Sequence, residues 1–119
     1  MELDLDVDFD FAAAHQLPLY DGPCKRMHGH NYRLRVSIRG EPDARTGMLM
    51  DFEHIRRIVT EGVVGVVDHQ VLNDFIENPT AENVIQWAWS RLDGKLQGLR
   101  ELRLWETPAY SVAFRGARS

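Results

Sequence analysis

Two stretches of the chain alternate apolar and polar residues with the period of a half-buried β-strand. In the first, at about residues 2 to 14, apolar side chains take the odd positions and aspartates stand at positions 4, 6, 8 and 10. In the second, at about residues 28 to 39, apolar side chains at even positions alternate with Arg33, Arg35, Ser37 and Arg39. If these strands pair antiparallel, the aspartate row lies against the arginine row, which suits cross-strand ion pairs.

The middle of the chain changes to helical spacing, and the last part returns to alternation. Asp51 and Thr80 are the predicted N-caps of two helices. Each helix carries an apolar stripe, and the first is expected to end near its glycines; the residues are Phe52, Ile55, Val59 and Val63, then Gly62 and Gly65, then Ile85, Trp89, Leu92 and Leu96. Strands follow at about residues 99 to 107 and 109 to 115. The order ββααββ predicts an α+β fold with two helices on one face of a four-stranded antiparallel sheet, in one domain spanning residues 1–119.

Two histidines stand at the start of the second strand, and a third ends the first strand. His28 and His30 are two positions apart, so on an extended chain their side chains point to the same side. His15 has the parity of the apolar residues in its strand, and so do His28 and His30 in theirs. In an antiparallel pair the end of one strand lies beside the start of the other. We therefore expect the three imidazoles to meet at one edge of the covered sheet face.

This arrangement of histidines indicates a metal site. Neutral imidazole is a good zinc ligand, and three protein ligands with an open fourth position are typical of a catalytic zinc site. An isolated histidine is more often an ordinary polar residue near a strand end. The HxH spacing together with a third histidine of matching parity favours Zn2+ over that interpretation.

Three further features offer chemistry, and each has an ordinary alternative. Cys24 lies in a Pro- and Gly-rich connection before His28, where a cation would favour its thiolate, although a lone cysteine is often just a small buried side chain. Asp68 could orient His69 as a proton donor or acceptor, although such pairs are commonly surface residues. Glu106 shares the parity of the strand leucines, so its carboxylate needs a partner, either a ligand with paired N–H groups or an arginine.

The bulk composition is that of an ordinary globular protein. The chain has 119 residues, of which 44% are hydrophobic and 27% charged, and this suits one domain. A net charge of -4 at pH 7 argues against nucleic acid as a partner. The single cysteine cannot form an internal disulfide, no secretory signal is visible, and no apolar run reaches the ~20 residues of a membrane span. We expect a cytoplasmic protein that does not bind membranes.

Six short motifs occur in order from end to end of the chain. They are Phe11-Ala12-Ala13-Ala14-His15, Cys24-x-x-x-His28-Gly29-His30, Gly47-Met48-x-x-Asp51-Phe52, Asp68-His69-x-x-Leu72-Asn73, Asn78-Pro79-Thr80-x-Glu82-Asn83 and Glu106-Thr107. Together they make the whole chain resemble the 6-pyruvoyltetrahydropterin synthase superfamily. It looks most like the bacterial group that makes 6-carboxy-5,6,7,8-tetrahydropterin for queuosine biosynthesis.

The resemblance implies a tunnelling fold, in which sheets with two helices on one face assemble into a barrel. It implies a homo-oligomer, commonly a hexamer of two trimers, with active sites at subunit interfaces. The charged strand faces would line the tunnel of that barrel. The implied substrate is a pterin triphosphate, 7,8-dihydroneopterin triphosphate, which loses triphosphate and acetaldehyde as the carboxy product forms.

The resemblance also implies a role for each candidate residue, position by position. It implies that His15, His28 and His30 bind zinc and that Cys24 is the general base. Asp68 with His69 would be the proton relay. Glu106 would anchor the pterin, and Thr107 and Thr80 would make weaker pterin contacts. Lys25 and Arg26 would meet the triphosphate, an inference from their charge and position alone.

The spacing of Cys24 and the HGH motif bears on the subgroup. Animal-type pyruvoyl synthases usually place two more residues between the cysteine and the HGH motif, and variants linked to folate synthesis carry glutamate near this position. Cys24 therefore favours the carboxytetrahydropterin group, with pyruvoyltetrahydropterin synthesis and folate-pathway side-chain cleavage as same-fold alternatives. A non-catalytic zinc- or pterin-binding assembly protein is the alternative of a different class. Trp105 is bulkier than the resemblance predicts for the position before Glu106.

Overall fold

The computed structural model describes residues 1–116, apart from the side chain of Cys24. The strands are β1 Leu3–His15, β2 His28–Gly40, β3 Gln70–Val71, β4 Leu99–Thr107 and β5 Tyr110–Phe114. The helices are α1 Phe52–Val59 and α2 Ala81–Leu92. Short 3-10 turns stand at Pro23–Lys25 and Leu72–Asp74. No helix in the described range is long and apolar enough to cross a membrane.

The sheet has five strands in the order β3-β1-β2-β4-β5 and is mixed, so the prediction of four antiparallel strands is wrong. The additional strand, β3, runs parallel to β1 and pairs only with Ala13 and Ala14. It is too short to show any alternation of side chains, which is why the pattern of the sequence does not reveal it. The α+β class and the antiparallel pairing of the four longer strands are confirmed.

The pairing of β1 with β2 follows the predicted parity. Residues opposite each other include Asp10 with Arg33, Asp8 with Arg35 and Asp4 with Arg39. The Nε atoms of these arginines donate to the paired carboxylates over 3.0, 2.8 and 2.8 Å, respectively. The hydrogen bond from Arg35 lowers the pKa of Asp8, and that from Arg39 lowers the pKa of Asp4. The two strands thus present one apolar face and one face of paired charges.

The core lies between the apolar sheet face and the two helices. Its sheet side includes Phe9, Leu34, Val36 and Leu104, all at most 6% exposed. The helical side of the core consists of residues spaced mostly three or four apart. They are Ile55, Val59, Val63 and Val67 from the first helical segment, and Val84, Ile85, Ala88 and Leu92 from α2. Phe52 lies outside this core with 54% exposure, although its spacing predicted burial. Burial of this face is the main contribution to the stability of the fold.

The regular α-helix ends at Val59, just before the glycines near which the sequence predicted its end, but helical turns continue past them. After α1 the chain makes a π-helical turn, Thr60–Val64, and a final α-helical turn, Gly65–Val67. Gly62 is buried against α2, where a Cβ would stand 3.6 Å from the Arg91 carbonyl oxygen. The Arg91 Nε in turn donates to the Gly62 carbonyl over 2.5 Å. Tertiary packing therefore overrides the low helix propensity of glycine at this position.

The predicted N-caps are confirmed. The Asp51 carboxylate accepts from the Glu53 amide over 3.0 Å, and the Thr80 hydroxyl accepts from the Asn83 amide over 3.2 Å. Each cap satisfies an amide that has no partner within its helix. The cap at Thr80 matters for the site described next, because it fixes the segment that precedes α2.

Candidate active site with a three-histidine centre

Three imidazoles meet where β1 ends and β2 begins. The strand register sets His15 opposite His28 and Ala13 opposite His30, so all three histidines share the helix-covered side of the sheet. One ring nitrogen from each histidine lies within 4.8 Å of the other two. His15 is fully buried, and the other two rings are partly exposed. The convergence expected from parity is therefore present in the fold.

Backbone carbonyls fix the orientation of two of these rings. The Nδ1 of His15 lies 2.8 Å from the Pro79 carbonyl oxygen, and the Nδ1 of His28 lies 2.8 Å from that of Arg26. Because a carbonyl oxygen only accepts, both Nδ1 atoms carry a proton, and in the neutral rings both Nε2 atoms therefore expose a lone pair. These two Nε2 atoms are 2.9 Å apart. Two lone pairs at that distance repel each other unless a cation lies between them.

The third ring supplies a nitrogen that the protein leaves unpaired. His30 Nε2 is a buried side-chain atom without a hydrogen-bond partner among the described residues. Burial lowers the pKa of His30, and the nearby charge of Glu106 opposes this only in part, which favours the neutral form of the ring. Neutral imidazoles are the form that binds metal ions. Three such rings with converging lone pairs fit a divalent metal, and zinc suits an all-imidazole set.

Glu106 stands beside this centre, on the same side of the sheet as the strand leucines. The pairing of β4 with β5 is irregular between Trp105 and Thr107, which sets Glu106 in a bulge. Its Oε1 atom lies 3.7 Å from His30 Nε2, and its side chain is 25% exposed. The carboxylate is therefore accessible, and within the described residues it forms no ion pair with an arginine. It can accept two N–H groups of a ligand that also reaches the histidines.

Asp68 and His69 lie elsewhere. The Asp68 carboxylate accepts from the Ala12 amide over 2.9 Å, and the His69 amide donates to the Ala12 carbonyl over 2.6 Å. These bonds attach the dipeptide to the outer edge of β1. His69 Nδ1 is 3.3 Å from Asp68 Oδ1, and the His69 side chain is 77% exposed. The imidazole thus lies beside the carboxylate and is exposed to solvent.

A cavity of about 790 Å³ contains Asp68 and His69 on the charged side of the sheet. Its wall also includes Asp10, Arg33 and Thr107, whose parity is opposite to that of the leucines and the three histidines. The pair therefore lies on the sheet face opposite to the histidine side chains, although His69 and the His30 segment also border a second, shallower cavity. The residues that the resemblance assigns to one reaction lie on two sides of one sheet.

Trp105 faces this same cavity rather than the histidines. The guanidinium carbon of Arg35 lies 5.1 Å from the ring centroid of Trp105, and that of Arg103 lies 5.8 Å away. These distances are typical of cation–π contacts. The bulky side chain at this position is therefore part of the charged sheet face, and it does not narrow the space beside Glu106.

The remaining candidates surround the centre at different distances. Lys25 and Arg26 are exposed in the connection before β2, and the backbone of Arg26 contacts His28. Thr80 follows Pro79, whose carbonyl contacts His15, while Thr107 uses its hydroxyl to accept from the Ala109 amide. The Cys24 side chain lies outside the described part of the structure. Its backbone belongs to the short turn Pro23–Lys25 in the same connection.

Sequence reasoning missed the groups that orient the histidines. The carbonyls of Pro79 and Arg26 have no side-chain signature, because every residue has a backbone carbonyl and only the path of the backbone decides where it points. The Asn78-Pro79-Thr80 motif was a usable signal, since a helix N-cap fixes the backbone just before it. Tyr32, which also contacts His15, stands at one of the even positions of the second strand, and the alternation indicates only that it lies on the apolar face.

A family model described as 6-pyruvoyl tetrahydropterin synthase matches residues 4–117 of the chain. The chain belongs to this family. A Synechocystis relative named 6-carboxy-5,6,7,8-tetrahydropterin synthase is 36% identical over 84% of this chain and 83% of its own. A Pyrococcus furiosus family relative named dihydroneopterin monophosphate aldolase is 36% identical over 86% of this chain and 88% of its own.

A solved structure from the same family supports the fold. The Caenorhabditis elegans 6-pyruvoyl tetrahydropterin synthase superposes with a TM-score of 0.88 and 28% sequence identity, over 98% of this chain and 97% of that one. Relatives of this pterin synthase family thus include proteins named for different reactions on pterin side chains. The choice among those reactions depends on the residues around the histidine centre.

Proposed function

We propose that this family member is a 6-carboxytetrahydropterin synthase of queuosine biosynthesis. It would convert 7,8-dihydroneopterin triphosphate and water to 6-carboxy-5,6,7,8-tetrahydropterin, triphosphate and acetaldehyde, in the cytoplasm and with Zn2+ as cofactor. The observation that carries the proposal is the convergence of three imidazoles beside the partly exposed Glu106 carboxylate. A pterin would offer that carboxylate its 2-amino and ring N–H groups while its side chain reaches the metal.

The proposed metal ligands are His15, His28 and His30. Bound there, zinc would act as a Lewis acid on the hydroxyls of the substrate side chain and lower the cost of deprotonating the adjacent carbon. The Pro79 and Arg26 carbonyls keep the first two rings in the tautomer that such binding requires. Glu106 fixes the position of the pterin ring, and Thr80 and Thr107 are weaker candidates for pterin contacts.

Proton transfer is assigned to Cys24 and to the Asp68-His69 pair. Cys24 is the proposed general base, because its turn lies in the connection that ends at the histidine centre. His69 is the proposed opposing donor, with Asp68 orienting its ring. Lys25 and Arg26 are exposed cations in the same connection and would meet the triphosphate.

We infer that the Asp68-His69 pair of one copy completes the centre of another. The pair lies on the side of the sheet opposite to its own histidine centre, with the His69 ring exposed. The sheet can associate further, because β3 covers only Ala13 and Ala14 at one edge and β5 forms the other edge. A homo-oligomer, proposed as a hexamer of two trimers forming a barrel, would bring the pair of one copy to the centre of the next.

Turnover of 7,8-dihydroneopterin triphosphate with identification of the products by mass spectrometry tests this function. We expect the carboxy product, acetaldehyde and triphosphate, with turnover lost on chelation and restored by Zn2+. Formation of a pyruvoyl product without acetaldehyde would reject the subgroup. The Pyrococcus furiosus relative supports side-chain cleavage as the second candidate, so dihydroneopterin monophosphate should be assayed in parallel.

Mixing two inactive variants tests the sharing of the site. His28→Ala removes a metal ligand and His69→Gly removes the proposed donor. Mixed oligomers should recover part of the activity if the two residues act from different copies, because some sites then contain both intact groups. Equal inactivity of mixed and unmixed oligomers would place both residues in one chain's site.

Cys24→Ala separates the enzyme from a non-catalytic assembly protein. The lyase should lose turnover while retaining its metal, since only a proton-transfer step needs the thiolate. A protein that merely binds zinc or pterin would show the same metal content and the same pterin binding in both forms, with no turnover in either.

A further inference from the structure

Tyr32 is a buried polar residue that the proposed reaction does not use. It lies two positions after His30 on the helix-covered face of β2 and is 1% exposed. Its ring stacks on that of Phe11, with the centroids 5.0 Å apart and the planes 9° from parallel. This stack accounts for the ring, but it does not account for a hydroxyl in an apolar core, since phenylalanine would stack equally well.

The hydroxyl of Tyr32 contacts one of the three histidines. Its oxygen lies 3.3 Å from His15 Nδ1, the atom that is also 2.8 Å from the Pro79 carbonyl oxygen. If Nδ1 accepted from the hydroxyl, its lone pair would face the carbonyl oxygen at 2.8 Å, which is repulsive. The Nδ1 proton is therefore present, and the Tyr32 oxygen is its second, weaker acceptor.

The Tyr32 ring also limits how two of the ligand rings can turn. It packs edge to face with His15, at 6.2 Å between centroids and 90° between planes. It packs similarly against His30, at 5.6 Å and 78°. One side chain thus contacts the two rings that lie on adjacent strands, and it holds them at an angle to each other.

We propose that Tyr32 is a positioning residue of the metal centre. Its hydroxyl stabilises the Nδ1–H tautomer of His15, and its ring maintains the relative angle of His15 and His30. The inference rests on the proposed metal role of the three histidines. Groups that orient metal-bound histidines in this way are typically worth 10–100-fold in metal affinity.

Zn2+ affinity of the isosteric Tyr32→Phe variant tests the proposal. Affinity is measured on the full-length protein by competition with a chromophoric chelator. We expect it to fall roughly tenfold, the lower end of the usual range, because the Pro79 carbonyl still holds His15. The visible spectrum of the Co2+-substituted variant should change as well, since it reports ligand geometry and not overall stability. Affinity and spectrum equal to those of the wild type would overturn the proposal.

Two matched variants separate positioning from packing. Phe11→Leu disturbs the partner of the Tyr32 stack but leaves the Tyr32 hydroxyl in place, so it should lower the thermal midpoint and weaken Zn2+ binding less than Tyr32→Phe does. Tyr110→Phe removes a hydroxyl at a 69% exposed position and should change neither quantity. If Phe11→Leu weakens Zn2+ binding as much as Tyr32→Phe does, the effect is one of packing and the proposal is wrong.

A measurement on the unmodified protein is independent of any variant. Long-range proton–nitrogen spectra of the metal-free protein report which ring nitrogen of His15 carries the proton. We expect Nδ1; a proton on Nε2 would overturn the proposal. If the wild-type protein binds no Zn2+ at all, it is instead the proposed function that fails.

Discussion

The backbone at His69 allows stability and activity to be separated at one position. His69 has a φ of 61°, in the left-handed region. Among the described residues, no other non-glycine residue has a positive φ. The hydrogen bonds that Ala12 makes with the Asp68 carboxylate and the His69 amide hold the backbone there. Backbone strain of this kind is often found at functional sites, which makes position 69 a test of the proposed role of His69.

The size of the effect follows from backbone sterics. A Cβ in the left-handed region costs about 1–2 kcal/mol, which glycine avoids, while glycine loses about 0.5–1 kcal/mol more than alanine in conformational entropy on folding. His69→Gly should therefore exceed His69→Ala by about 0.5–1 kcal/mol in free energy of unfolding. For a chain of this length, that difference raises the thermal midpoint by about 2–4 °C. Both variants should lose about 10²–10⁴-fold in kcat, because both lack the proposed proton donor.

His54 provides the matched control, since it lies within α1. There glycine should be less stable than alanine by about 1 kcal/mol, so the order of the two variants reverses. Thermal unfolding is compared at one protein concentration, because oligomer stability depends on it. The strain argument is refuted if alanine is at least as stable as glycine at position 69. Wild-type kcat in both variants would instead refute the role of His69.

Three further predictions concern the metal, the pterin anchor and the charge ladder, which is the row of Asp–Arg pairs between β1 and β2. His28→Ala should lose most of the bound metal, whereas Glu106→Gln should retain the metal and raise KM for the pterin. Metal analysis and steady-state kinetics distinguish the two variants. Equal metal loss in both would contradict the separate roles. The pKa of Asp8 is lowered, chiefly by its hydrogen bond from Arg35, so its contribution to stability is present above the unfolded value of 3.8 and is lost as the pH falls below it. Asp8→Asn should therefore lose less stability than the wild type between about pH 6 and about pH 3. Urea midpoints at the two pH values measure this, and parallel losses would show that the ladder contributes nothing.

Much of the fold was predictable because the long strands are half-buried. The alternation around Phe9 and Leu34 fixed which face each strand turns to the core, and a shift of one residue would have exposed every apolar side chain. The same parity placed Glu106 with the leucines and predicted the meeting of His15 with His28. The two helix N-caps were predictable for a similar reason, since Asp51 and Thr80 act on amides within the same turn.

Other features depend on contacts between distant parts of the chain. The two-residue strand β3 exists because backbone groups near Ala12 find partners after residue 67, and no side-chain pattern records that pairing. Helical turns continue past Gly62 and Gly65 to Val67, and Arg91 of α2 donates to the Gly62 carbonyl there. In both cases local preference was a poor guide, since a partner far along the chain supplied the decisive contact.

By itself, the sequence determined which residues share a face, because side-chain parity is a property of one extended strand. That was sufficient to group the three histidines with Glu106 on one side of the sheet. Only the tertiary structure decided the tautomer of His15, since Pro79 and Tyr32 reach its ring from other elements. It also decided that Asp68 and His69 lie on the other side, because their position depends on backbone bonds to the edge of β1.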